Sequence, residues 1–204
     1  MASEWQELLE KCERLFESAN WVTLGGSLPQ DVPPDSFAIL GQLAKECSCR
    51  FALDADGEPM LKGLEAGPNL IKPNLREAER ILDAAIPADP VSAVEAARAI
   101  RAKYMEQNPD MIVALTMGAK GAVMVNESGA WIGDPIEVDS RSTIGAGDSL
   151  LGGMIAAIED GESWETALAW GLAAGAATAT TDGTEIGRWE VISKFLPIAR
   201  VRKS

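Results

Sequence analysis

Ser142-Thr143-Ile144-Gly145-Ala146-Gly147-Asp148-Ser149 is the stretch of this sequence best equipped for chemistry. Gly145 and Gly147 allow close backbone approach and unusual dihedrals. The apolar run from Leu150 predicts a helix whose first free N–H groups face whatever docks at its start, and its dipole favours an anion there. Asp148 sits in that first turn. A carboxylate there repels a bound phosphate, unless its task is to take a proton from an incoming nucleophile. A helix capped after a glycine turn accounts for the same residues without any ligand. No Gly-x-x-x-x-Gly-Lys-Ser/Thr loop occurs, and Gly145 and Gly147 lack the third glycine and following acid of a dinucleotide fingerprint.

The remaining composition narrows the chemistry. The 204 residues contain no histidine, which removes Ser-His-Asp and Cys-His machinery and any imidazole-based metal site. An acid–base step near neutral pH is then expected to fall to a carboxylate. A net charge of −13 argues against nucleic acid or an anionic membrane as partner, since a phosphate polymer is repelled by the average surface. A small anion is still compatible, because a local nest of N–H groups or a bound cation overrides net charge. Cys12, Cys47 and Cys49 are odd in number and lack a second pair for zinc, so they read as reduced thiols. There is no apolar run of membrane-spanning length, and Met-Ala-Ser-Glu-Trp lacks the basic and apolar regions of a signal peptide. The expectation is a cytoplasmic protein.

The elements that must position these residues follow from periodicity. Ser3-Glu4-Trp5-Gln6 fits a capping box for a helix carrying Trp5, Leu8, Leu9, Cys12, Leu15 and Phe16. Trp21-Val22-Thr23-Leu24, stopped by Gly25-Gly26, reads as a strand buried on both faces. Pro33 and Pro34 open a second helix with Phe37, Leu40, Leu43 and Ala44 on one face. Phe51-Ala52-Leu53 ending in Asp54, Leu70-Ile71 before Pro73, and Met111 to Leu115 predict three more strands, the last of the type buried in parallel sheets. Helices are expected near 57–66, 75–84 and 91–107. Two runs flanking Asn126-Glu127-Ser128-Gly129 predict a hairpin, and helices follow near 147–159, 163–180 and 189–197. Strand–helix alternation argues a single α/β domain over 1–204 with a mainly parallel sheet. The chain opens on a helix, and only four parallel strands are expected, so strands known to sheets of this kind are missing from the count.

Four motifs occur in order: Gly26-Ser27-Leu28-Pro29, Lys72-Pro73-Asn74-x-x-Glu77, Thr116-x-Gly118-x-x-Gly121 and Ser142 to Ser149. Together they resemble the PfkB (ribokinase-like) carbohydrate kinases, and within them the hexose-phosphate branch (1-phosphofructokinase and tagatose-6-phosphate kinase-like). The resemblance runs from about residue 3 to about 198. It implies a three-layer α/β/α fold and transfer of the ATP γ-phosphoryl group to a hydroxyl of a sugar phosphate. Asp148 would be the base, and Gly145, Ala146 and Gly147 the hole for charge developing on the phosphoryl oxygens. Lys72, Asn74, Thr116, Gly118, Gly121, Thr143 and Gly183 would meet the nucleotide, and Ser27 the phosphate already on the sugar. Asn74 and Glu77, one helical turn apart, would orient Mg²⁺ through water; Asp54 is a looser candidate for metal or substrate. The stretch 173–185 resembles the adenine-side wall, and with Ser142 and Ile144 its carbonyls offer a K⁺ site.

Each motif also has a plain structural reading. Asn74 and Glu77 mark a helix start, Lys72 snorkels at a strand end, Ser27 makes a local turn, and the small residues of 173–185 serve helix packing. The resemblance further implies that a family member's first third, with its lid and sugar-gripping aspartate, has no counterpart here. A nucleotide-binding fragment without catalysis is therefore the alternative to an active kinase. An uncovered strand edge then implies a homo-oligomer.

Overall fold

The computed structural model describes residues 2–204, with side chains from Glu4 onward. Seven strands form one sheet whose spatial order follows the chain: β1 (Trp21–Gly25), β2 (Arg50–Asp54), β3 (Leu70–Ile71), β4 (Ile112–Thr116), β5 (Ala122–Asn126), β6 (Gly129–Gly133) and β7 (Val201–Lys203). The pairs from β1 to β4 are parallel and those from β4 to β7 antiparallel, so five of the seven strands run the same way. Among the described residues the eight α-helices are α1 (Ala2–Phe16), α2 (Ser36–Glu46), α3 (Gly57–Glu65), α4 (Leu75–Leu82), α5 (Pro90–Lys103), α6 (Ala146–Glu159), α7 (Trp164–Ala179) and α8 (Trp189–Phe195).

The period-2 alternation of the strands sorts their side chains into two cores. Leu53, Val113, Leu115, Val123 and Val125 pack with Phe37, Leu40, Met60, Leu64, Ile81 and Ile100 from α2 to α5. Ala52, Ile112, Ala114, Ala122 and Met124 turn the opposite way, onto Leu150, Leu151 and Met154 of α6 and Leu168 and Leu172 of α7. The expected three layers are therefore present, with the sheet between five helices and two.

Four expectations are corrected. β1 is not buried on both faces: only Leu24 is buried, while Thr23 and Gly25 are exposed. It is the sheet's outermost strand, paired on one side only. Val22 and Trp21 pack partly against the two cores, and polar contacts complete the cover. Trp21 donates its indole N–H to Glu159 at the end of α6 (2.9 Å), and Arg50 lies over the indole ring while pairing with the same carboxylate. Pro33 and Pro34 do not occupy the first turn of α2, which starts at Ser36 after Asp35; they form the preceding turn, where Ser36 N–H bonds the Pro33 carbonyl. Leu8 and Leu15 face solvent rather than the core. Finally, β7 was not expected at all. Val201-Arg202-Lys203 is too short and too charged to carry an alternation signal, and its strand character comes from pairing with β6. The capping box at Ser3 rests on a side chain outside those described.

Candidate functional site

The parallel strands deliver their carboxyl ends to one edge of the sheet, where ligands of open α/β sheets gather. Gly26 N–H bonds the Asp54 carbonyl, Lys72 N–H the Leu53 carbonyl, and Thr116 N–H the Pro73 carbonyl, so the segments leaving β1 to β4 are laced side by side. Asn74 pairs with Thr116 as an isolated parallel bridge. Three of the four motifs are thereby brought together by the sheet itself.

The fourth arrives from α6. Gly145 adopts a left-handed conformation (φ 75°, ψ −4°) and offers no side chain to cap the helix. Among the described residues, the amides of Gly147 and Asp148 find no acceptor. They form an open donor pair at the positive end of a 14-residue helix, the arrangement that suits a bound anion. Behind it stands Lys72, whose Nζ lies only 3.0 Å from where a β-carbon on Gly147 would sit. A side chain at 147 would press on that buried ammonium and require it to shift. Asp148 is exposed, in the first turn of α6.

Lys72 does not snorkel. It is buried at 6% exposure, with Nζ 2.9 Å from Asp54 Oδ2. Burial pushes the Asp54 carboxyl above its ordinary value; Lys72 pulls it back, and Asp148 adds a further upward push. Glu77 is raised as well, first by burial, against the N–H of Asn74 and the charge of Lys72 that lower it. Asn74 and Glu77 form a complete capping box on α4. Asn74 Oδ1 accepts from Glu77 N–H (3.1 Å), and Glu77 Oε2 accepts from Asn74 N–H (2.8 Å). The plain reading of these two as a helix start therefore holds, whatever else they do. Among the described residues no three acids stand close enough to hold a metal by themselves. Asp54 feels Lys72 and Asp148, and Glu77 feels Lys72, Asp54, Asp56 and Arg80, so carboxylates outnumber cations here, an excess that suits a cation held through water.

Beside the α6 terminus opens a cavity of about 480 Å³, a size typical of small-molecule sites. Thr116, Gly118, Gly121, Thr143, Ala146 and Gly147 are among the residues that line it. Gly121 holds φ 91°, and a β-carbon there would stand 2.2 Å from the Gly133 carbonyl oxygen, so this turn admits only glycine. The far wall is Gly175, Ala176 and Ala179 of α7. Pro135 to Val138, which no motif marks, supplies the apolar side. Its only sequence signal is the Ile136/Val138 alternation beyond β6. Such a slot, apolar with hydroxyls at its rim, suits a planar base next to an anion.

Three expected residues lie elsewhere. Ser27 is exposed at the end of β1, two strands from Lys72. Gly183 lies outside the cavity lining; its carbonyl accepts a hydrogen bond from Ser142 Oγ (2.7 Å), which in turn accepts from Ile144 N–H (3.2 Å). The Ile144 side chain points to solvent at 60% exposure. Arg141 pairs with Asp182 (3.1 Å), so the segments 141–145 and 181–185 are stitched together beside the anion-binding turn.

Comparison with known proteins gives consistent findings. The model of the pfkB family carbohydrate kinases matches residues 1–190. The 1-phosphofructokinase of Escherichia coli K12 is 35% identical over 167 residues, covering 81% of this chain and 51% of that protein. The Bacillus subtilis 1-phosphofructokinase is 29% identical over 200 residues, covering 98% and 63%. Among solved structures, the phosphofructokinase-2 of Escherichia coli in complex with potassium superposes with a TM-score of 0.85 at 26% identity, covering 96% of this chain and 62% of that one. The chain spans about half to two-thirds the length of the relatives it matches.

Proposed function

Since the chain belongs to the pfkB family of carbohydrate kinases, we propose that it binds Mg-ATP and transfers the γ-phosphoryl group to a hydroxyl of a hexose phosphate, as a single-domain cytoplasmic 1-phosphofructokinase- or tagatose-6-phosphate kinase-like enzyme. The observation that carries this reading is the uncapped α6 terminus: two free amides and Asp148, at the end of a cavity sized for a nucleoside.

In this reading the base lies in the apolar slot between Ile136 and Ala176, with Thr116 and Thr143 toward the sugar and phosphates. The amides of Gly147 and Asp148, with Gly145 and Ala146 shaping the turn, receive charge on the phosphoryl oxygens. Asp148 accepts the proton of the sugar hydroxyl as that oxygen bonds phosphorus and the bond to the ADP oxygen breaks. Mg²⁺, when bound, neutralises the phosphate oxygens between the nucleotide and the acceptor. Asn74 and Glu77 keep each other oriented by their capping box and face it through water, with Asp54 behind. Ser27 reaches the phosphate carried by the sugar. A K⁺ ion held by carbonyls of Ser142 and Ile144 beside Gly183 is supported by the neighbour solved with potassium. A homo-oligomer is supported by a neighbour solved as a tetramer.

Asp148→Asn tests the assignment. Mg-ATP affinity by calorimetry is expected to hold. Turnover on fructose 1-phosphate, fructose 6-phosphate or tagatose 6-phosphate should fall about 10²–10⁴-fold, the usual cost of losing a general base. A variant retaining half the parent's turnover would move the base elsewhere. Binding of Mg-ATP with no turnover in the parent chain would favour a silent nucleotide-binding module.

A further inference from the structure

Thr178 lies on the last turn of α7 and is 1% exposed. Threonine hydroxyls inside helices commonly bond back to a carbonyl of their own helix. Its neighbours do this: Thr180 Oγ1 donates to the Ala177 carbonyl and Thr181 Oγ1 to the Thr178 carbonyl, both at 2.7 Å. Thr178 does not. Its Oγ1 donates to Ser149 Oγ of α6 (2.7 Å) and accepts from the Gly187 N–H (2.9 Å). Both hydrogen bonds of this buried hydroxyl therefore lie outside its own helix.

Both contacts lead to the site. Ser149 follows Asp148, and its own N–H closes the first turn of α6 on the Gly145 carbonyl (2.9 Å). The Thr178 methyl faces Gly145, 3.8 Å from where a β-carbon on that glycine would stand. Gly187 ends the loop whose Gly183 carbonyl holds Ser142. The Gly187 backbone is seated so closely on α7 that an added β-carbon would lie 2.6 Å from Ala177 Cβ.

We propose that Thr178 is a positioning residue that joins the 181–187 loop to the first turn of α6, so that the loop's conformation and the setting of Asp148 change together. This rests on the proposed phosphoryl transfer for its purpose, but its geometry stands without it. The hydroxyl, not the methyl, makes the link. Buried side-chain hydrogen bonds of this kind hold both partners in one arrangement, and the low local dielectric makes a lost partner costly.

Thr178→Val keeps the shape and removes the hydroxyl, whereas Thr178→Ser keeps the hydroxyl and removes the methyl. Amide hydrogen exchange on the ligand-free chain reads the link directly. In Thr178→Val, exchange at Gly187 and at Ser149 is expected to quicken about fivefold to tenfold, the effect of one such bond. Amides of β2 and α2 should be unchanged, which certifies the fold. Thr178→Ser should stay within twofold of the parent at every position. Mg-ATP affinity, where the parent binds it, should follow the same order, falling severalfold in the valine variant alone. Ser149→Ala should loosen the α6 turn while leaving the Gly187 amide protected. Equal effects of valine and serine, a larger effect of serine, or no change in either would overturn the proposal. A parent chain that fails to bind Mg-ATP would count against the proposed function, and the exchange data would still decide the link.

Discussion

Lys72 is the buried cation paired with Asp54, beside Glu77 and Asp148, and a pH dependence follows from the burial of that pair. The Asp54 carboxyl is raised by burial, so the folded state holds its proton more tightly than the unfolded state does. The sign is then fixed: stability falls as pH rises from the unfolded value near ~4 through the folded one. Lys72 limits that loss by lowering Asp54. In Lys72→Met the carboxylate is left without its cation, its titration moves higher, and the window of loss extends upward. The expected cost is about 3 kcal/mol at neutral pH, shrinking at pH 5, as urea unfolding at the two pH values will read. Equal costs at both would place the lysine's value in packing. At this scale the sequence was informative where a residue type is rare in context. Glycines before an acid at a helix start, and the lysine ahead of Pro73, stood out. The pairing of Lys72 with Asp54 and the role of Thr178 did not, because each depends on which strand or helix lies next to it.

The packing of α6 on α7 depends on glycines that let the helices touch. A β-carbon on Gly153 would lie 2.8 Å from the Trp170 carbonyl oxygen and 3.0 Å from Ala174 Cβ, while one on Gly152 would meet nothing within 4 Å. Adjacent positions in one helix therefore carry opposite expectations. Gly152→Ala should raise stability by about 0.5–1 kcal/mol through helix propensity and the unfolded chain's entropy. Gly153→Ala should lower it by about 1–3 kcal/mol, since backbone must move. Thermal unfolding of the two variants decides, and a shared sign would mean the helices are free to separate. Helices α1 to α8 were all legible, because their apolar periodicity and turn residues are local. β7 was not, since three residues ending Arg202-Lys203 take strand form only through β6, and the Pro135–Val138 wall takes its meaning only from the cavity.

For the molecule as a whole, β1 leaves one edge of the sheet unpaired, with Thr23 and Gly25 exposed on it. Such an edge presents free N–H and C=O groups to another chain. Net charge of −13 works against aggregation, so soluble, concentration-dependent association is expected by light scattering after size exclusion. Thr23→Lys, a charge on the open edge, should shift it toward monomer. Association unaffected by that change would put the contact on another surface. Among the described residues no helix is long and apolar enough to cross a membrane. The parallel half of the sheet could be anticipated from the strand–helix rhythm. The exposure of β1 could not, because an apolar run does not reveal how many neighbours it will have. One further consequence lies in the strand order. Since β1 to β6 lie side by side in sequence order, each crossover joins spatial neighbours, yet the parallel pairings are non-local, Leu70 meeting Ile112 across β3 and β4, and such pairing slows folding. Among the described strands β7 pairs across the longest span, back over α6 to α8 to reach β6, so its pairing carries the largest loop-closure cost in the sheet.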